Sequence, residues 1–249
     1  MTTPERLRRE AMIAAILARL EGCRTVAVGA SSPLPAAAAM IAQARYGTRA
    51  LLLGDRRRDR FGDGGRELFD AAAQGRIDAF FLSGGQIDGQ ANVNLLGLGT
   101  YPSLHRRFPG SFGSAFLAFV VPRLILFREE HTLRTTPARV DAISAPGTSA
   151  AGVYRPGGPV ALVTGRAVLA FHRERARFRL SSTHPGETAA SVRAATGFDY
   201  DEPPAVPETP LLTDDERELL RGEVARDLAA TYPGFARELA DGVASRGAG

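Results

Sequence analysis

Residues 83–94 read SGGQIDGQANVN, and residues 108–114 read FPGSFGS. Each of these glycine-rich polar stretches comes after an apolar run that predicts a strand, residues 79–82 for the first and residues 93–96 for the second. Loops that leave strand ends are where α/β proteins bind their ligands. The two stretches therefore predict a binding site that is built from two loops.

The sequence around the first stretch alternates between strands and helices. Three apolar runs predict buried strands, at residues 25–28, 50–53 and 79–82. Two helices are predicted between them, at residues 35–44 and 67–73. This alternation predicts an α/β fold with a mostly parallel sheet flanked by helices, and such sheets gather ligands at the carboxyl ends of their strands.

Five short strand-like runs follow, at residues 124–127, 140–143, 160–164, 168–171 and 178–180. They predict a section of added antiparallel strands. Further on, residues 213–216 read TDDE, a capping-box pattern that predicts a helix running to about residue 230. The proline-containing residues 203–210 predict a surface linker before that helix, and residues 246–249 predict a disordered tail. The whole chain, residues 1–249, is predicted to form a single domain.

All 31 basic residues of the chain are arginines, so catalysis through a lysine Schiff base is excluded. The formal charge of +4 raises the question of a nucleic-acid partner, and residues 56–60, RRRDR, form the one dense basic run. Acidic residues are interspersed throughout, tryptophan is absent, and no helix-turn-helix or zinc pattern is visible. No nucleic-acid partner is therefore expected.

Cysteine occurs once, at Cys23, so no internal disulfide is possible and a reducing, cytoplasmic location is predicted. Residues 6–23 faintly imitate a lipoprotein signal. Leu7, Ala11 and Leu17 recur at helical spacing, however, and Glu10 interrupts the apolar segment, so an amphipathic helix explains the same residues. Nothing later approaches the length of a membrane span, and no membrane partner is expected.

Three segments of the chain carry a resemblance to a known family. The GGQID text at residues 84–88 with NVN at residues 92–94, and then GSFG at residues 110–113, resembles the β subunit of family I coenzyme A transferases, the glutaconate type in particular. Residues 182–199, which begin STHPGET and end ATGFD with SVRA between, resemble the stretch that closes such subunits. The chain is also similar to the β subunit of steroid ring-cleaving CoA hydrolases. In order and extent the resemblance spans essentially the whole chain.

The resemblance implies a CoA-transferase-like fold and a separate α subunit, in a heterodimer or heterotetramer. It implies an acyl-CoA as the ligand, with coenzyme A as a substrate and no tightly bound cofactor. The arginine run at residues 56–60 would then suit the phosphates of coenzyme A, because guanidinium groups match phosphate oxygens. A chain of this kind is expected to do little without its partner.

The two loops supply the candidate binding residues. Glycines let the backbone approach a ligand closely and offer N–H groups to an oxyanion, and a helix predicted at residues 114–121 adds its N-terminal dipole. Side-chain amides can orient an acyl group or the pantetheine amides, or can equally satisfy backbone groups around the turn. The candidate substrate-binding and oxyanion residues are Gly84, Gly85, Gln86, Asn92, Asn94, Gly110, Ser111, Phe112 and Gly113.

The family resemblance implies a catalytic glutamate just beyond the second strand, whose carboxylate attacks the acyl-CoA carbonyl. Here residues 51–55 read LLLGD, so Gly54 or Asp55 stands in that place. Asp55 is the candidate catalytic carboxylate, one methylene shorter than glutamate, and its alternative interpretation is a solvated loop acid beside Arg56. Three functions stay open: CoA transfer between carboxylic acids, hydrolysis of a cyclic acyl-CoA with the glutamate on the α subunit, and a non-enzymatic ligand-sensing module.

Histidine and cysteine give no further candidate. No Gly-x-Ser-x-Gly elbow is present, and no spacing fits a metal site. His184 precedes Pro185 and Gly186 at a predicted helix start, where a structural role is expected. His105 is expected to be an exposed loop residue.

Overall fold

A computed structural model of the chain describes residues 4–55 and 65–240. The arginine run at residues 56–60 and the predicted disordered tail at residues 246–249 lie outside the described residues. The helices are α1 Pro4–Leu17, α2 Pro33–Tyr46, α3 Arg66–Ala73, α4 Ser114–Val120, α5 Ala189–Ala195, α6 Asp214–Leu219, α7 Ala225–Leu228 and α8 Pro233–Ala240. The strands are β1 Thr25–Val28, β2 Arg49–Leu52, β3 Ala79–Leu82, β4 Gln86–Ile87, β5 Val93–Asn94, β6 Gly97–Leu98, β7 Arg106–Arg107, β8 Arg123–Arg128, β9 Pro159–Thr164, β10 Ala167–His172 and β11 Arg177–Thr183.

Seven of these strands form one sheet in the order β11-β10-β9-β8-β3-β1-β2. The five from β9 to β2 pair in parallel, and β10 and β11 add antiparallel pairs at one side. The parallel strands are short and almost wholly buried, as in the Ala79–Leu82 strand with its sequence AFFL, because helices cover both faces of such a sheet. The predicted α/β class with added antiparallel strands is confirmed.

Two apolar cores lie on the two faces of the sheet. One joins α1 and α2 to the C-terminal helices, and the other joins α3, α4 and α5 to the aromatic side chains of Phe178, Phe198 and Tyr200. The predicted capping box is confirmed, because the Thr213 hydroxyl accepts from the Glu216 N–H and the Glu216 carboxylate accepts from the Thr213 N–H. The helix that it opens contains a π-helical turn at Leu220–Val224. Among the described residues no helix is long and apolar enough to cross a membrane.

Two predicted strands are wrong in extent or kind. The strand predicted at residues 93–96 is limited to Val93–Asn94, and it pairs with Gln86–Ile87 in a separate two-stranded ladder outside the main sheet. The strand predicted at residues 140–143 does not form. The backbone N–H groups of Val140 and Asp141 donate to side chains of the 86–94 segment instead of to a neighbouring strand, so side-chain acceptors replace a ladder there.

Candidate functional site

The carboxyl ends of the five parallel strands meet at one edge of the sheet. The chain leaves β3 there at Ser83, beside the end of β8 at Arg128, since Leu82 pairs with Leu126. A cavity of about 350 Å³ opens at this point. We call it the glycine-loop cleft, and it is lined by Ser83, Gly84, Gly85, Leu95, Leu98, Arg106, Phe108, Pro109, Arg128 and Arg134.

The two glycines of the cleft are clamped by their neighbours. A Cβ atom on Gly84 would lie 2.5 Å from Cγ1 of Val93 and 2.8 Å from the carbonyl oxygen of Asn94, and a Cβ on Gly85 would overlap the ring of Phe108. The Gly85 N–H donates to the Asn94 carbonyl at 2.9 Å, so this donor is used inside the chain. The glycines are thus required for close packing of the 83–85 loop against β5, and the loop is a fixed wall of the cleft.

Arginines dominate the charge of the cleft. The Arg128 guanidinium donates from Nη1 to the carbonyl oxygen of Gly84 at 2.6 Å. Arg134 donates to both carboxylate oxygens of Glu130, at 2.7 and 2.6 Å. Burial would raise the pKa of Glu130, but hydrogen bonds from Thr132 and Arg134, with the charges of Arg134 and Arg128, hold that pKa below its ordinary value. Glu130 therefore stays ionised and fixes Arg134 at the cleft.

The predicted amide residues are engaged within the chain. Asn94 is fully buried, its Nδ2 donates to Gln86 Oε1 and to the Gly97 carbonyl, and its Oδ1 accepts from the N–H groups of Leu96 and Gly97. Gln86 bonds in turn to Asp141. In the described contacts these two amides shape the hairpin behind the glycines.

Asn92 and Asp88 hold the turn of the same hairpin. The Asp88 carboxylate, 3% exposed, accepts from the N–H groups of Gln90, Asn92 and Val140 and from Asn92 Nδ2. Asn92 Oδ1 accepts from the Gly147 N–H at 3.1 Å. Of the two roles left open by the sequence, the structure shows the one that satisfies backbone groups, and contact with a substrate stays a prediction.

Changing Asn94 to aspartate is expected to destabilise the chain by about 2–3 kcal/mol, since a carboxyl would face two oxygen acceptors in a fully buried place. Denaturant unfolding measures the effect. Gln90→Glu is the matched control, because it makes the same chemical change at an exposed position of the same hairpin. Equal stability of the two variants would show that the amide network contributes little.

The second predicted loop lies beside the cleft rather than in its wall. Phe108 and Pro109 line the cavity, whereas Gly110, Ser111, Phe112 and Gly113 do not. Phe112 has a left-handed φ of 44° and is 78% exposed, with its ring 5.4 Å from the ring of Phe69. A Cβ on Gly113 would overlap that Phe69 ring. The structure therefore brings Gly84 and Gly85 together with the start of the second stretch only.

Asp55 follows β2 at the same edge of the sheet. β1 lies between β2 and β3, so Asp55 and the glycine loop leave strands that are separated by about 10 Å. Its side chain is buried, 3% exposed, so the alternative of a solvated loop acid is wrong. Burial raises the pKa of the nearby Tyr232, and the negative charge of Asp55 adds to that rise. Tyr232 donates to the Ala30 carbonyl at 2.8 Å, which ties the C-terminal helices to this edge.

Two buried histidines stand at the far side of the same edge. His184 Nε2 donates to the Thr164 carbonyl at 2.8 Å, so its Nδ1 accepts from the Thr209 hydroxyl. His131 bonds through both ring nitrogens to the hydroxyls of Thr164 and Thr196. Burial lowers the pKa of each histidine to about 4. The structural role predicted for His184 is confirmed.

Four functional candidates were missed by the sequence: Arg106, Arg128, Arg134 and His131. Arg128 carried a usable signal, because it directly follows the apolar run at residues 124–127 and so ends a parallel strand. The other three gave none, since their neighbours come from distant parts of the chain. His105 is an exposed loop residue, as predicted. Among the described residues no group of His, Cys, Asp and Glu could hold a metal ion.

Comparison with known proteins gives one curated relative and several similar structures. No family model matches the sequence. The chain is 33% identical over 163 residues to the β-type subunit of the 3-oxoadipate CoA-transferase of Pseudomonas knackmussii, a match that covers 63% of this chain and 62% of that protein. The matched part thus spans less than two thirds of the relative's length.

Three solved structures share the fold over most of the chain. Glutaconate coenzyme A-transferase from Acidaminococcus fermentans has a TM-score of 0.76 and 23% identity, with 89% of this chain and 96% of that chain covered. The decarboxylase AibA/AibB gives 0.72 and 23%, covering 96% and 99%. Rhodococcus jostii RHA1 IpdAB gives 0.76 and 24%, covering 86% and 93%.

The sheet order, the antiparallel addition and the loops at the carboxyl edge define the fold class of the coenzyme A transferases. Sequence similarity to the 3-oxoadipate enzyme narrows this class. The chain belongs to the family I coenzyme A transferases, as a chain of the β-subunit type.

Proposed function

We propose that this chain is the β subunit of a two-subunit CoA-transferase-like enzyme that acts on an acyl-CoA thioester and transfers CoA between carboxylic acids. The observation that carries the proposal is the 33% identity to the β-type chain of a CoA-transferase. The cleft supports it, since a preformed glycine wall beside fixed guanidinium groups suits an acyl group whose oxygens carry negative charge. The chain is placed with its α partner in the cytoplasm, with coenzyme A as a substrate.

In this reaction a carboxylate attacks the thioester carbonyl, the carbon–sulfur bond breaks, and the CoA thiolate leaves a mixed anhydride. The thiolate then attacks the anhydride at the enzyme carbonyl and gives an enzyme-bound CoA thioester. On this chain Asp55 is the proposed carboxylate, because it occupies the position that the family resemblance assigns to the nucleophile and lies at the carboxyl edge of the sheet. The candidate residues of the two loops are proposed to face the acyl-CoA.

Mass spectrometry tests the proposal directly. The chain is co-expressed with its α partner, incubated with a panel of acyl-CoA esters, and trapped with borohydride. A CoA adduct or a reduced carboxylate on this chain is the expected result. Consumption of acyl-CoA with no adduct on this chain would contradict covalent transfer here.

Asp55→Asn is expected to lower transferase turnover of the reconstituted pair at least about 10³-fold, the scale of a lost nucleophile. The amide keeps the size of the buried side chain, so folding is disturbed as little as possible. Steady-state turnover with a matched acyl-CoA and acceptor acid measures the loss. Asp70→Asn, an exposed change on α3, is the control. Unchanged turnover in Asp55→Asn would eliminate Asp55 as the catalytic carboxylate.

A second candidate function is hydrolysis of an acyl-CoA, with the working carboxylate on the α subunit. The observation that favours it is the aspartate at position 55, which is one methylene shorter than the glutamate of the family pattern. The similar structures also extend beyond transferases, since one is a decarboxylase. Hydrolysis predicts product that carries ¹⁸O from labelled water and turnover that needs no acceptor acid.

A further inference from the structure

Arg128 stands in the glycine-loop cleft with unused hydrogen-bond donors. Its Nη1 donates to the Gly84 carbonyl at 2.6 Å, and its Nη2 lies 3.5 Å from the Glu130 carboxylate. The Nε atom is buried and has no partner. A guanidinium keeps its proton and offers five donors in a planar fork. Donors and positive charge are therefore left over at the wall of the cavity.

The surrounding charges do not balance this guanidinium. Three arginines line the cleft, namely Arg106, Arg128 and Arg134, and no acidic side chain is among its described lining residues. Glu130, the nearest carboxylate, is held by Arg134 through two short bonds and accepts a third from the Thr132 hydroxyl. Its contact with Arg128 is the longest of the set. The cleft thus keeps a net positive charge.

We propose that the glycine-loop cleft binds an anionic oxygen group of the substrate, with Arg128 as its central ligand. The identity of the substrate rests on the proposed function, whereas the binding of an anion does not. Guanidinium forks match carboxylate and phosphate oxygens in two parallel hydrogen bonds. A cavity of about 350 Å³ holds one such group with a short apolar chain against Leu95, Leu98 and Phe108.

The bond from Arg128 to Gly84 makes this a prepared site. Gly84 is fixed by β5, so its carbonyl orients the guanidinium before any ligand arrives. Preorganised donors bind anions at a lower entropic cost. Two parts of an acyl-CoA carry the required chemistry, a free carboxylate at the far end of the acyl chain and the phosphates of coenzyme A.

Nuclear magnetic resonance of the arginine Nε–H groups tests the proposal on the full chain, without turnover. The Arg128 resonance is assigned through its loss in Arg128→Lys. At constant ionic strength we expect it to shift saturably with glutarate or with inorganic phosphate, and not with glutaramide, the uncharged analogue. A response to glutarate alone identifies the acyl carboxylate, and one to phosphate alone identifies coenzyme A. The absence of a saturable shift with both anions would overturn the proposal.

Variants separate anion binding from a purely structural role. Arg128→Gln is expected to weaken binding of the responding anion about 10- to 100-fold, as followed on the amide resonances of Ser83 and Gly85. Arg134→Gln should also weaken it, because a released Glu130 can then neutralise Arg128. The control is Arg173→Lys, since Arg173 donates to the Pro159 and Gly158 carbonyls at the opposite edge of the sheet. Should Arg128→Gln fail to fold, unchanged affinity in Arg134→Gln contradicts the proposal.

The same variants report on the proposed function separately. In the reconstituted pair, Arg128→Lys is expected to raise KM more than it lowers kcat, because a lysine keeps the charge and loses the fork. A saturable anion shift without any acyl-CoA turnover would leave the site in place and refute the proposed function. Turnover that is unaffected by Arg128→Gln, with no anion shift, would refute the site and leave the function standing.

Discussion

Gly84→Ala is expected to abolish turnover of the reconstituted pair and to lower the free energy of unfolding by about 3 kcal/mol or more. The added Cβ would meet Val93 Cγ1 at 2.5 Å and the Asn94 carbonyl at 2.8 Å, and the second of these atoms is backbone that cannot rotate away. Overpacking of this kind costs about 1–3 kcal/mol where side chains can shift, and more where they cannot. The 83–85 loop would have to leave β5, which would also displace the Arg128 partner.

Denaturant unfolding and steady-state turnover measure the two parts of this effect. Gly234→Ala is the control, because nothing lies within 4 Å of its added Cβ and the residue is inside α8. A glycine-to-alanine change in a helix is expected to stabilise by about 0.5–1 kcal/mol. If Gly84→Ala were as stable and active as Gly234→Ala, the loop would not be the rigid wall that the contacts indicate.

The strands could be predicted from the sequence because their burial is a local property. Residues 25–28 and 79–82 are apolar almost without interruption, which is typical of a strand covered on both faces, and the structure places β1 and β3 at the same residues. The 93–96 run was misjudged for a related reason. Apolar side chains there pack under a hairpin, and the paired length depends on contacts with Ala145, a residue far along the chain.

The site was predictable in place and not in detail. Glycine at residues 84 and 85 indicated a close approach, but the sequence did not reveal that the approaching groups are Phe108 and the β5 backbone. Asparagine and glutamine can bond to a ligand or to the chain, so only their distant partners decide, as Gly147 does for Asn92. Arg128 was missed because its role depends on the pairing of β8 with β3, which is a long-range contact.

Acid is expected to destabilise the chain steeply between pH 6.5 and 4 because of two buried histidines. The pKa of His131 and of His184 falls from an ordinary value of 6.5 to about 4, mainly through burial. Arg166 and Glu187 face His131 with opposite effects, and Glu187 opposes Arg8 and Arg19 at His184. Both rings are neutral in the folded chain at pH 7, where Thr164 bonds to each.

The sign follows from proton binding. Below pH 6.5 the unfolded chain takes up protons at both histidines and the folded chain does not, so the free energy of unfolding falls until the pH passes about 4. Each histidine contributes about 3 kcal/mol over this range, and the pair therefore removes a sum comparable to the whole stability of an ordinary domain. Denaturant midpoints across this pH range measure the loss.

His131→Gln is expected to lower stability at pH 7 and to reduce the slope between pH 6.5 and 4 by about half, since one of the two titrating groups is gone. His105→Gln is the control, because His105 is exposed in a loop and its removal should leave the slope unchanged. Asp78 and Glu130 do not confound the window, because their lowered pKa values place their losses below about pH 4. A slope unchanged in His131→Gln would mean that the folded chain admits the proton, with Thr164 reorienting its hydroxyl toward the Ala167 carbonyl, to which it already donates at 3.1 Å.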